Sequence, residues 1–481
     1  MTDYKFSDAL VGKVLRAKHP HAEIKKIDIN DALALEGVHC ILTAKDIPGL
    51  NGFGIVYPDQ PVLCDKKVRF LGDPVAFVVA ETEQQAAKAL ALIKVDYEPL
   101  EVIDEPEKAL KPGAPLIHEQ GNLVHHNKAI TGDPETAFKE AYLVVERNYT
   151  TTWQEHAFIE TEGGVGVPSG DGGVTIYCPA QYGYRDRQQL SKILNLPEEK
   201  IIVVSSPMGG GFGGKDDINV QALLALGALR TNRPVKVHLT REESFIAGIK
   251  RQPFKIKMRT AATKTGEFLA QDVYVLCDTG PYASLGRAIM SFGLENCCGA
   301  YYFPHVKLEG HCVYTNNLIC GEFRGFGNNQ MHFALESQID IIAHELGIDP
   351  IEIRQKNCIK SGQRHSHGHR VAPSVGALKT LEAAKDSQLW RNREEFKCHV
   401  SKPWLKRGVG IAMCQHGNGL GKGLPDQSTA SVEIKEDGTF IVAVSSEEIG
   451  QGSMTTLAII AAEELGVDLK KIKIVNGNTS L

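Results

Sequence analysis

One loop of the chain holds five glycines within six positions, a composition that can bind an anion. Residues 208–216 read MGGGFGGKD, between an apolar strand predicted at 200–205 and a helix predicted at 218–230. Glycine lets backbone N–H groups approach a ligand closely, and the N-terminus of the following helix adds a favourable dipole. The alternative is a glycine turn that only lets the strand and the helix pack tightly.

Generic nucleotide-binding motifs fit this loop poorly. Residues 209–214 satisfy G-x-G-x-x-G, which alone is weak evidence for a dinucleotide site, and residues 209–215 satisfy the first seven places of a P-loop. The eighth place is Asp216, where a P-loop needs the hydroxyl of Ser or Thr to bind Mg²⁺. A carboxylate there would also put negative charge beside the phosphates. The sequence therefore disfavours an ATPase.

Three further segments carry side chains suited to chemistry. They read WQEHAFIE at 153–160, EFRGFG at 322–327 and EIGQG at 448–452. The Gln154 amide can donate a hydrogen bond, Arg324 offers a fixed cationic fork, and Phe326 can stack on a planar heteroaromatic ring. Taken singly, a structural glutamine, a buried salt-bridged arginine and a core phenylalanine are at least as common.

In this order, the four segments resemble the signature of the xanthine dehydrogenase/aldehyde oxidase family of molybdenum hydroxylases, in its molybdopterin-binding large subunit. The resemblance spans nearly the whole chain. It implies that Gln154 and Arg324 are catalytic and that Gln154, Phe212 and Arg324 surround the metal. It also implies a cofactor site formed by Gly210, Gly211, Phe212, Gly213, Gly450 and Gln451.

The same resemblance implies the cofactors and the reaction. A molybdenum–molybdopterin group would support oxidation of a purine, another N-heterocycle or an aldehyde with oxygen derived from water. The nucleotide on the pterin stays open, the cytosine dinucleotide form being one candidate. Nothing in the chain resembles an iron–sulfur or flavin domain, so we expect 2Fe-2S clusters and FAD on partner subunits.

Two positions depart from the pattern of xanthine-oxidising members. Asp216 stands where that pattern has a glutamate, and Phe292 stands where it has an arginine that contacts a purine oxygen. We assign Asp216, Phe292 and Phe326 to substrate binding. The loss of a cationic fork argues against xanthine itself and leaves an aldehyde, a nicotinate-like acid or another N-heterocycle open.

Hydrophobic periodicity predicts an α+β chain in three regions. We expect an α/β hammerhead-like domain at 1–105 and a surface linker rich in Pro, Gly and Glu at 106–135. A first molybdopterin-binding domain would follow at 136–375, and part of a second at 376–481. Residues 194–204 (LNLPEEKIIVV) and 465–475 (LGVDLKKIKIV) follow predicted helices and share their spacing, which predicts that the third region partly repeats the second.

Composition excludes several classes of protein. The net charge is −5 and no basic stripe is present, so no nucleic-acid partner is predicted. The sequence has no apolar run of about 18 residues and no apolar signal core at its start, which predicts no membrane association and a cytoplasmic location. Eleven cysteines without a Cys-x-x-Cys pair indicate reduced thiols rather than disulfides or a metal site.

The position of the chain end generates one more expectation. The general-base glutamate of the family would lie beyond residue 481, together with much of the pterin site. We therefore expect an incomplete second molybdopterin-binding domain and no turnover by this chain alone. Either a second molybdopterin-binding chain completes the site, or the protein is a non-catalytic fragment that keeps the fold.

Overall fold

The computed structural model describes residues 5–417, 419, 425 and 427–480; the first four residues, part of the stretch searched for a signal core, lie outside the described residues. The N-terminal region is built mainly from antiparallel strands, with α2 packed against β1 and β5. Its elements are β1 (Leu10–Arg16), β2 (Ala22–Asp28), α1 (Asn30–Leu33), β3 (Val38–Leu42), β4 (Lys67–Val68), β5 (Pro74–Ala80), α2 (Glu83–Leu92) and β6 (Lys94–Pro99).

The second region contains most of the remaining strands and the longest helix. Its elements are α3 (Pro106–Ala109), β7 (Leu123–Thr131), α4 (Pro134–Glu140), β8 (Leu143–Thr150), β9 (Gly163–Pro168), β10 (Val174–Tyr177), α5 (Gly183–Leu194), β11 (Ile201–Val204), α6 (Gln221–Thr231), β12 (Val235–His238), α7 (Arg241–Ala247), β13 (Phe254–Ala262), β14 (Phe268–Asp278), α8 (Gly286–Glu295), β15 (His305–Val313), α9 (Asn328–Leu346) and α10 (Pro350–Asn357).

The third region has helices first and a small sheet after them. Its elements are α11 (Ala377–Asp386), α12 (Gln388–Arg391), α13 (Arg393–Cys398), β16 (Ala430–Ile434), β17 (Phe440–Val444), α14 (Ser453–Leu465) and β18 (Ile472–Asn476). None of the helices found among the described residues is both long and apolar enough to cross a membrane. All eleven cysteines are free thiols, and nine of them are buried.

A seven-stranded sheet joins the first two regions. Its strand order is β11-β10-β9-β12-β1-β5-β3, and β1 pairs in parallel with β12 through Leu10 and Val235. The strand β5, next to the edge strand β3, is a continuous apolar run and is buried from Val75 to Ala80, as expected for a strand covered on both faces. Backbone pairing therefore runs unbroken between the hammerhead-like region and the region that carries the glycine-rich loop.

A five-stranded sheet forms the other large core of the second region. Its order is β7-β15-β14-β13-β8, and α8 and α9 pack against its inner face. The stretch 106–135, predicted as a linker, contributes the edge strand β7. The prediction missed this strand because most of its side chains are exposed or half-buried, so it lacks the apolar alternation that marks a strand.

The internal repeat predicted from the sequence is present as a repeat of local structure. After α5, Asn195 adopts the left-handed conformation, a 3-10 turn follows at Glu198–Lys200, and β11 pairs in parallel with β10. After α14, Gly466 takes the same conformation, a 3-10 turn follows at Leu469–Lys471, and β18 pairs in parallel with β17. In both copies the preceding strand, β9 or β16, pairs antiparallel at the other side.

A buried polar contact fastens the hammerhead-like region to the second region. The Tyr282 hydroxyl donates to the carboxylate of Asp73, with Oη to Oδ1 and Oδ2 distances of 2.9 and 3.0 Å. The backbone N–H of Arg69 also donates to Asp73 Oδ2 at 2.6 Å. Burial raises the pKa of Asp73 to about 6, so the carboxyl depends on these bonds in a fully buried site.

We predict that Tyr282→Phe weakens this junction. Removing a hydrogen bond to a buried carboxyl costs roughly 1–3 kcal/mol, which in a chain of 481 residues should lower the midpoint of thermal unfolding by about 1–3 °C. Tyr142→Phe is the matched control, because Tyr142 is exposed. Calorimetry that finds equal midpoints for the two variants would contradict the role given to Tyr282.

Candidate active site

All four motif segments meet at one cavity. Its volume is about 1070 Å³, and it lies between the second region and the turn before α14. Residues from segments more than 290 positions apart in sequence line it. The lining residues are Ala157, Phe158, Ile159, Met208, Gly209, Gly210, Phe212, Gly213, Asp216, Glu322, Phe323, Arg324, Gly325, Phe326, Ile449, Gly450 and Gln451.

Of the eleven predicted site residues, eight line this cavity. Gln154, Gly211 and Phe292 are not among the lining residues. Gly211 faces the side chain of Gln181, whose Oε1 would be 2.5 Å from an added Cβ. The roles assigned to all eleven residues remain predictions, but their convergence in space is a property of the fold.

Main-chain hydrogen bonds connect the glycine-rich loop to each of the other segments. Arg324 N donates to Phe212 O at 2.9 Å, and Glu160 N donates to Gly209 O at 3.2 Å. Met208 N donates to Glu448 O at 2.8 Å, which joins the third region to the loop. The glycine-rich loop is therefore the centre on which the other three segments are assembled.

The cavity walls hold an unusual share of strained backbone. Ala157, Phe212 and Phe326 line the cavity with φ of +48°, +54° and +52°, values uncommon for residues other than glycine. Gly213 has φ +101°, and an added Cβ would lie 2.7 Å from the carbonyl oxygen of Glu322. Backbone strain concentrated in this way is typical of functional sites.

The lysine of the P-loop-like match does not face a phosphate site. Lys215 is buried, and its Nζ donates to the carbonyl oxygen of Glu160 at 2.8 Å. The same Nζ lies 3.6 Å from Glu160 Oε2 and 4.4 Å from the centre of the Phe158 ring. Because its charge is neutralised inside the protein, Lys215 cannot serve as a phosphate ligand, which agrees with the rejection of an ATPase.

Arg251 holds Gln154 in a defined orientation. Its Nε donates to Gln154 Oε1 at 3.0 Å, and its Nη2 donates to the carbonyl oxygen of Arg324 at 2.9 Å. The guanidinium also stacks over the Phe323 ring at 4.0 Å. With the amide oxygen of Gln154 engaged, the amide nitrogen is the group left to donate. Burial lowers the pKa of Arg251 to about 10.

Arg324 and the EIGQG turn form the more polar part of the wall. Arg324 is exposed and makes none of the ion pairs found among the described residues, so it is not the buried salt-bridged arginine of the structural alternative. In the turn, Glu448 Oε1 accepts from Gly450 N at 3.0 Å and from Gly452 N at 2.9 Å. These bonds lower the pKa of Glu448 and fix the turn at the start of α14.

An acidic wall, formed by Asp216 and Glu322, lines one side of the cavity. Arg185 Nη1 lies 3.2 Å from Asp216 Oδ1, and burial raises the pKa of Asp216 to about 6. Glu322 is almost fully buried, and neither of its carboxylate oxygens has a hydrogen-bond partner within the described part of the chain. Burial, with the nearby charges of Asp216 and Asp217, raises the pKa of Glu322 well above its usual range.

An aromatic pair stands beside the cavity. The rings of Phe292 and Phe326 meet edge to face, with centroids 6.2 Å apart and planes at 70°. The ring of His416 lies 5.0 Å from that of Phe292. Phe292, the residue that replaces an arginine of the xanthine-oxidising pattern, thus extends an apolar surface next to Phe326.

Sequence reasoning did not assign roles to Arg251, Glu322 or Glu448. Glu322 and Glu448 begin two of the quoted segments, so their position beside a motif was the available signal. Arg251 had none, because it follows a helix in a stretch without a motif and reaches Gln154 only through the fold.

Comparisons with known proteins agree with this geometry. A profile described as aldehyde oxidase and xanthine dehydrogenase, a/b hammerhead domain, matches residues 1–101. Two profiles described as molybdopterin cofactor-binding domain match residues 117–358 and 379–481.

Several relatives are similar over almost the whole chain. A probable xanthine dehydrogenase component of Bacillus subtilis (strain 168) is 47% identical over 480 residues, which are 100% of this chain and 64% of that protein. The nicotinate dehydrogenase large molybdopterin subunit of Eubacterium barkeri is 40% identical over 384 residues, 80% of this chain and 90% of that subunit. This chain thus spans under two thirds of the Bacillus protein's length.

Solved structures of related proteins have the same fold as this chain. The aldehyde oxidoreductase from Desulfovibrio gigas superimposes with a TM-score of 0.94 at 31% identity, covering 99% of this chain and 54% of that one. Its fold therefore matches the hammerhead-like region and the molybdopterin-binding regions together. The chain belongs to the xanthine dehydrogenase/aldehyde oxidase family and carries its molybdopterin cofactor-binding domains.

Proposed function

We propose that this chain is the molybdenum-binding subunit of a hydroxylase that oxidises a purine or another N-heterocycle with oxygen derived from water. The observation that carries the proposal is the convergence of the four motif segments on one cavity of about 1070 Å³. An aldehyde is the competing substrate class, and the acidic wall favours the heterocycle.

The residues of the cavity fit a molybdopterin group. The glycines at 209–213 let a cofactor approach the backbone closely, as polar pterin and phosphate groups require, whereas the N–H groups of Gly450 and Gly452 already donate to Glu448 Oε1. No cysteine is among the lining residues, and a dithiolene-held metal needs none. When bound, the molybdenum group supplies the redox centre that takes electrons from the substrate. Gly210, Phe212, Gly213, Gly450 and Gln451 would hold the cofactor, while Gln154 and Arg324 would face the metal.

Substrate recognition follows from the acidic wall and the aromatic pair. Asp216 offers a carboxylate, and Glu322 offers a buried carboxyl group without a hydrogen-bond partner among the described residues, a setting that suits the N–H groups and ring nitrogens of a heterocycle. Phe326 offers a flat apolar surface for a heteroaromatic ring. A nicotinate-like acid would bring its carboxylate beside the carboxyl groups of this wall, so we place a neutral or cationic N-heterocycle there.

We propose that electrons leave through a 2Fe-2S subunit and an FAD-binding subunit, since the three profile matches leave no part of the chain for such domains. The cytosine dinucleotide form of the pterin and a cytoplasmic location belong to the same proposal.

A second molybdopterin-binding chain is the further partner that the third region needs. By the registers of the two copies, Val432 of β16 corresponds to Gly166 of β9, which lies under Leu224 of α6. No described helix covers Val432, and its side chain is 56% exposed, with Ile434 at 64%. In the first copy β12 also pairs with the outer edge of β9, whereas β16 is an edge strand among the described residues. We propose that a partner supplies the equivalent helix and strand.

The first test concerns the cofactor. Gly213→Ala should lose molybdenum, because the new methyl group would meet the Glu322 carbonyl and the backbone strain costs about 1–3 kcal/mol. Gly170→Ala is the control, since an added Cβ there meets nothing within 4 Å. The measurement is the molybdenum content of the purified complexes that carry each variant. Equal molybdenum contents in the two variants would show that the loop does not hold the cofactor.

The second test separates recognition from stability at Glu322. Replacing an unbonded buried carboxyl by an apolar side chain should raise the unfolding midpoint of Glu322→Leu. In the complex, the same variant should lower kcat/KM for an N–H heterocycle by about tenfold and leave aldehyde oxidation unchanged. Glu336→Leu is the control: Glu336 is also buried, but it pairs with Arg354 at 2.9 Å, so this change should lower the midpoint. Loss of both stability and all turnover in Glu322→Leu would point to a purely structural glutamate.

The third test concerns completeness. Purified alone and supplied with cofactor and an artificial electron acceptor, the 481-residue chain should not turn over. The complex isolated from its host should contain stoichiometric molybdenum and a second molybdopterin-binding chain. Val432→Asp should abolish that association, whereas Leu116→Asp, at an exposed position outside the third region, should not. A stable chain without metal or partner would instead support the non-catalytic fragment.

A further inference from the structure

Three metal-ligating side chains meet on the solvent face of the five-stranded sheet, outside the cavity. Glu309 and His311 are two residues apart on β15, so both point to the same face. His126 lies directly opposite His311 on the antiparallel neighbour β7. The ligand atoms of the three side chains all lie within 4.8 Å of one another. None of the four motif segments or the cavity lining includes them.

The sheet itself fixes this arrangement. Gly310, between Glu309 and His311, faces the other side, where an added Cβ would meet Leu294 of α8. Asn127, next to His126, also faces α8 and donates to Ser291 Oγ at 2.8 Å. Packing against α8 fixes which side chains of β7 and β15 face inward. The three ligand side chains therefore lie on the other face of the sheet without any change of backbone.

The geometry within the cluster suits one cation. His126 Nε2 lies 3.1 Å from Glu309 Oε1, and the rings of His126 and His311 stack with centroids 4.2 Å apart at 12°. Nδ1 of His311 is buried and has no hydrogen-bond partner within the described part of the chain. A ring nitrogen in that position is available to a ligand, and a metal ion would satisfy it.

We propose that His126, Glu309 and His311 bind a divalent transition-metal ion of the Zn²⁺ class. Two imidazoles and one carboxylate on neighbouring strands are a donor set that zinc sites use, with a fourth position left to water or to a partner. The ion would join the edge strand β7 to β15.

Lys128 sets a limit on affinity that can be tested. Its Nζ lies 3.9 Å from Glu309 Oε2, so its positive charge competes with a bound cation for the same carboxylate. Removing the charge of Lys128 should strengthen metal binding at this site. Metal binding to histidines elsewhere in the chain would not change when Lys128 is replaced.

The experiment is a calorimetric titration of the purified full chain with Zn²⁺, in a buffer that does not chelate it. We expect one site that weakens by about tenfold or more in His126→Gln and in Glu309→Gln, and that strengthens severalfold in Lys128→Ala. His125→Gln is the matched control, because His125 is the residue next to His126 on β7 and so points to the opposite face. Unfolding midpoints in EDTA verify that each variant is folded.

Co²⁺ gives a second readout, since its absorption in the visible range reports coordination by imidazole and carboxylate groups. Loss of that spectrum in Glu309→Gln and its retention in His125→Gln would support the site. Zn²⁺ affinity that is the same in wild type, His126→Gln and Glu309→Gln would overturn it, as would an equal loss in His125→Gln. The test does not depend on molybdenum, so its outcome is separate from that of the proposed function.

Discussion

The approach of the glycine-rich loop to the EFRGFG segment is the constraint on which the site depends. At Gly213 the two backbones are so close that any side chain would meet the carbonyl of Glu322, and Phe212 O accepts the N–H of Arg324. The loop can reach this position because β10, β11 and β12 anchor its flanks in the seven-stranded sheet. His156 supports the contact from behind, with Nε2 donating to Glu322 O at 2.7 Å and its ring stacked on Phe323. Cavity shape thus follows from backbone contacts rather than from the long side chains around it.

The sequence predicted the elements with strong periodicity and missed those that tertiary contacts define. The strand predicted at 200–205 and the helix predicted at 218–230 are β11 (Ile201–Val204) and α6 (Gln221–Thr231), each within three residues of the expected bounds. β7 is an edge strand with little buried surface, so its sequence lacks the apolar alternation that predicts a strand. It forms a strand because it pairs with β15.

The candidate site shows the same division. Gly210, Phe212, Arg324 and Gln451 could be found because they belong to short motifs, whereas Arg251 reaches Gln154 only through the fold. In the acidic wall, residue types could point to Asp216, whereas the burial of Glu322 without a hydrogen bond arises only from the fold. Burying a carboxyl such as Glu322 without a hydrogen bond opposes folding, and proteins keep such groups where a ligand completes them.

The last described residues connect the third region to the second through the backbone. Ser205 N donates to Gly477 O at 2.6 Å, Thr479 N donates to Val203 O at 3.0 Å, and Arg187 Nη1 donates to Thr479 O at 2.8 Å. Between residues 427 and 480, Val442 and Ala462 are the buried apolar side chains, so this part of the third region has little core of its own. The cavity wall that contains the glycine-rich loop is therefore anchored in the seven-stranded sheet. The wall formed by the turn before α14 is attached to the second region by a few hydrogen bonds. A ligand that touches both walls acts as a cross-link between them, and occupancy of the cavity is thermodynamically coupled to the rigidity of the third region.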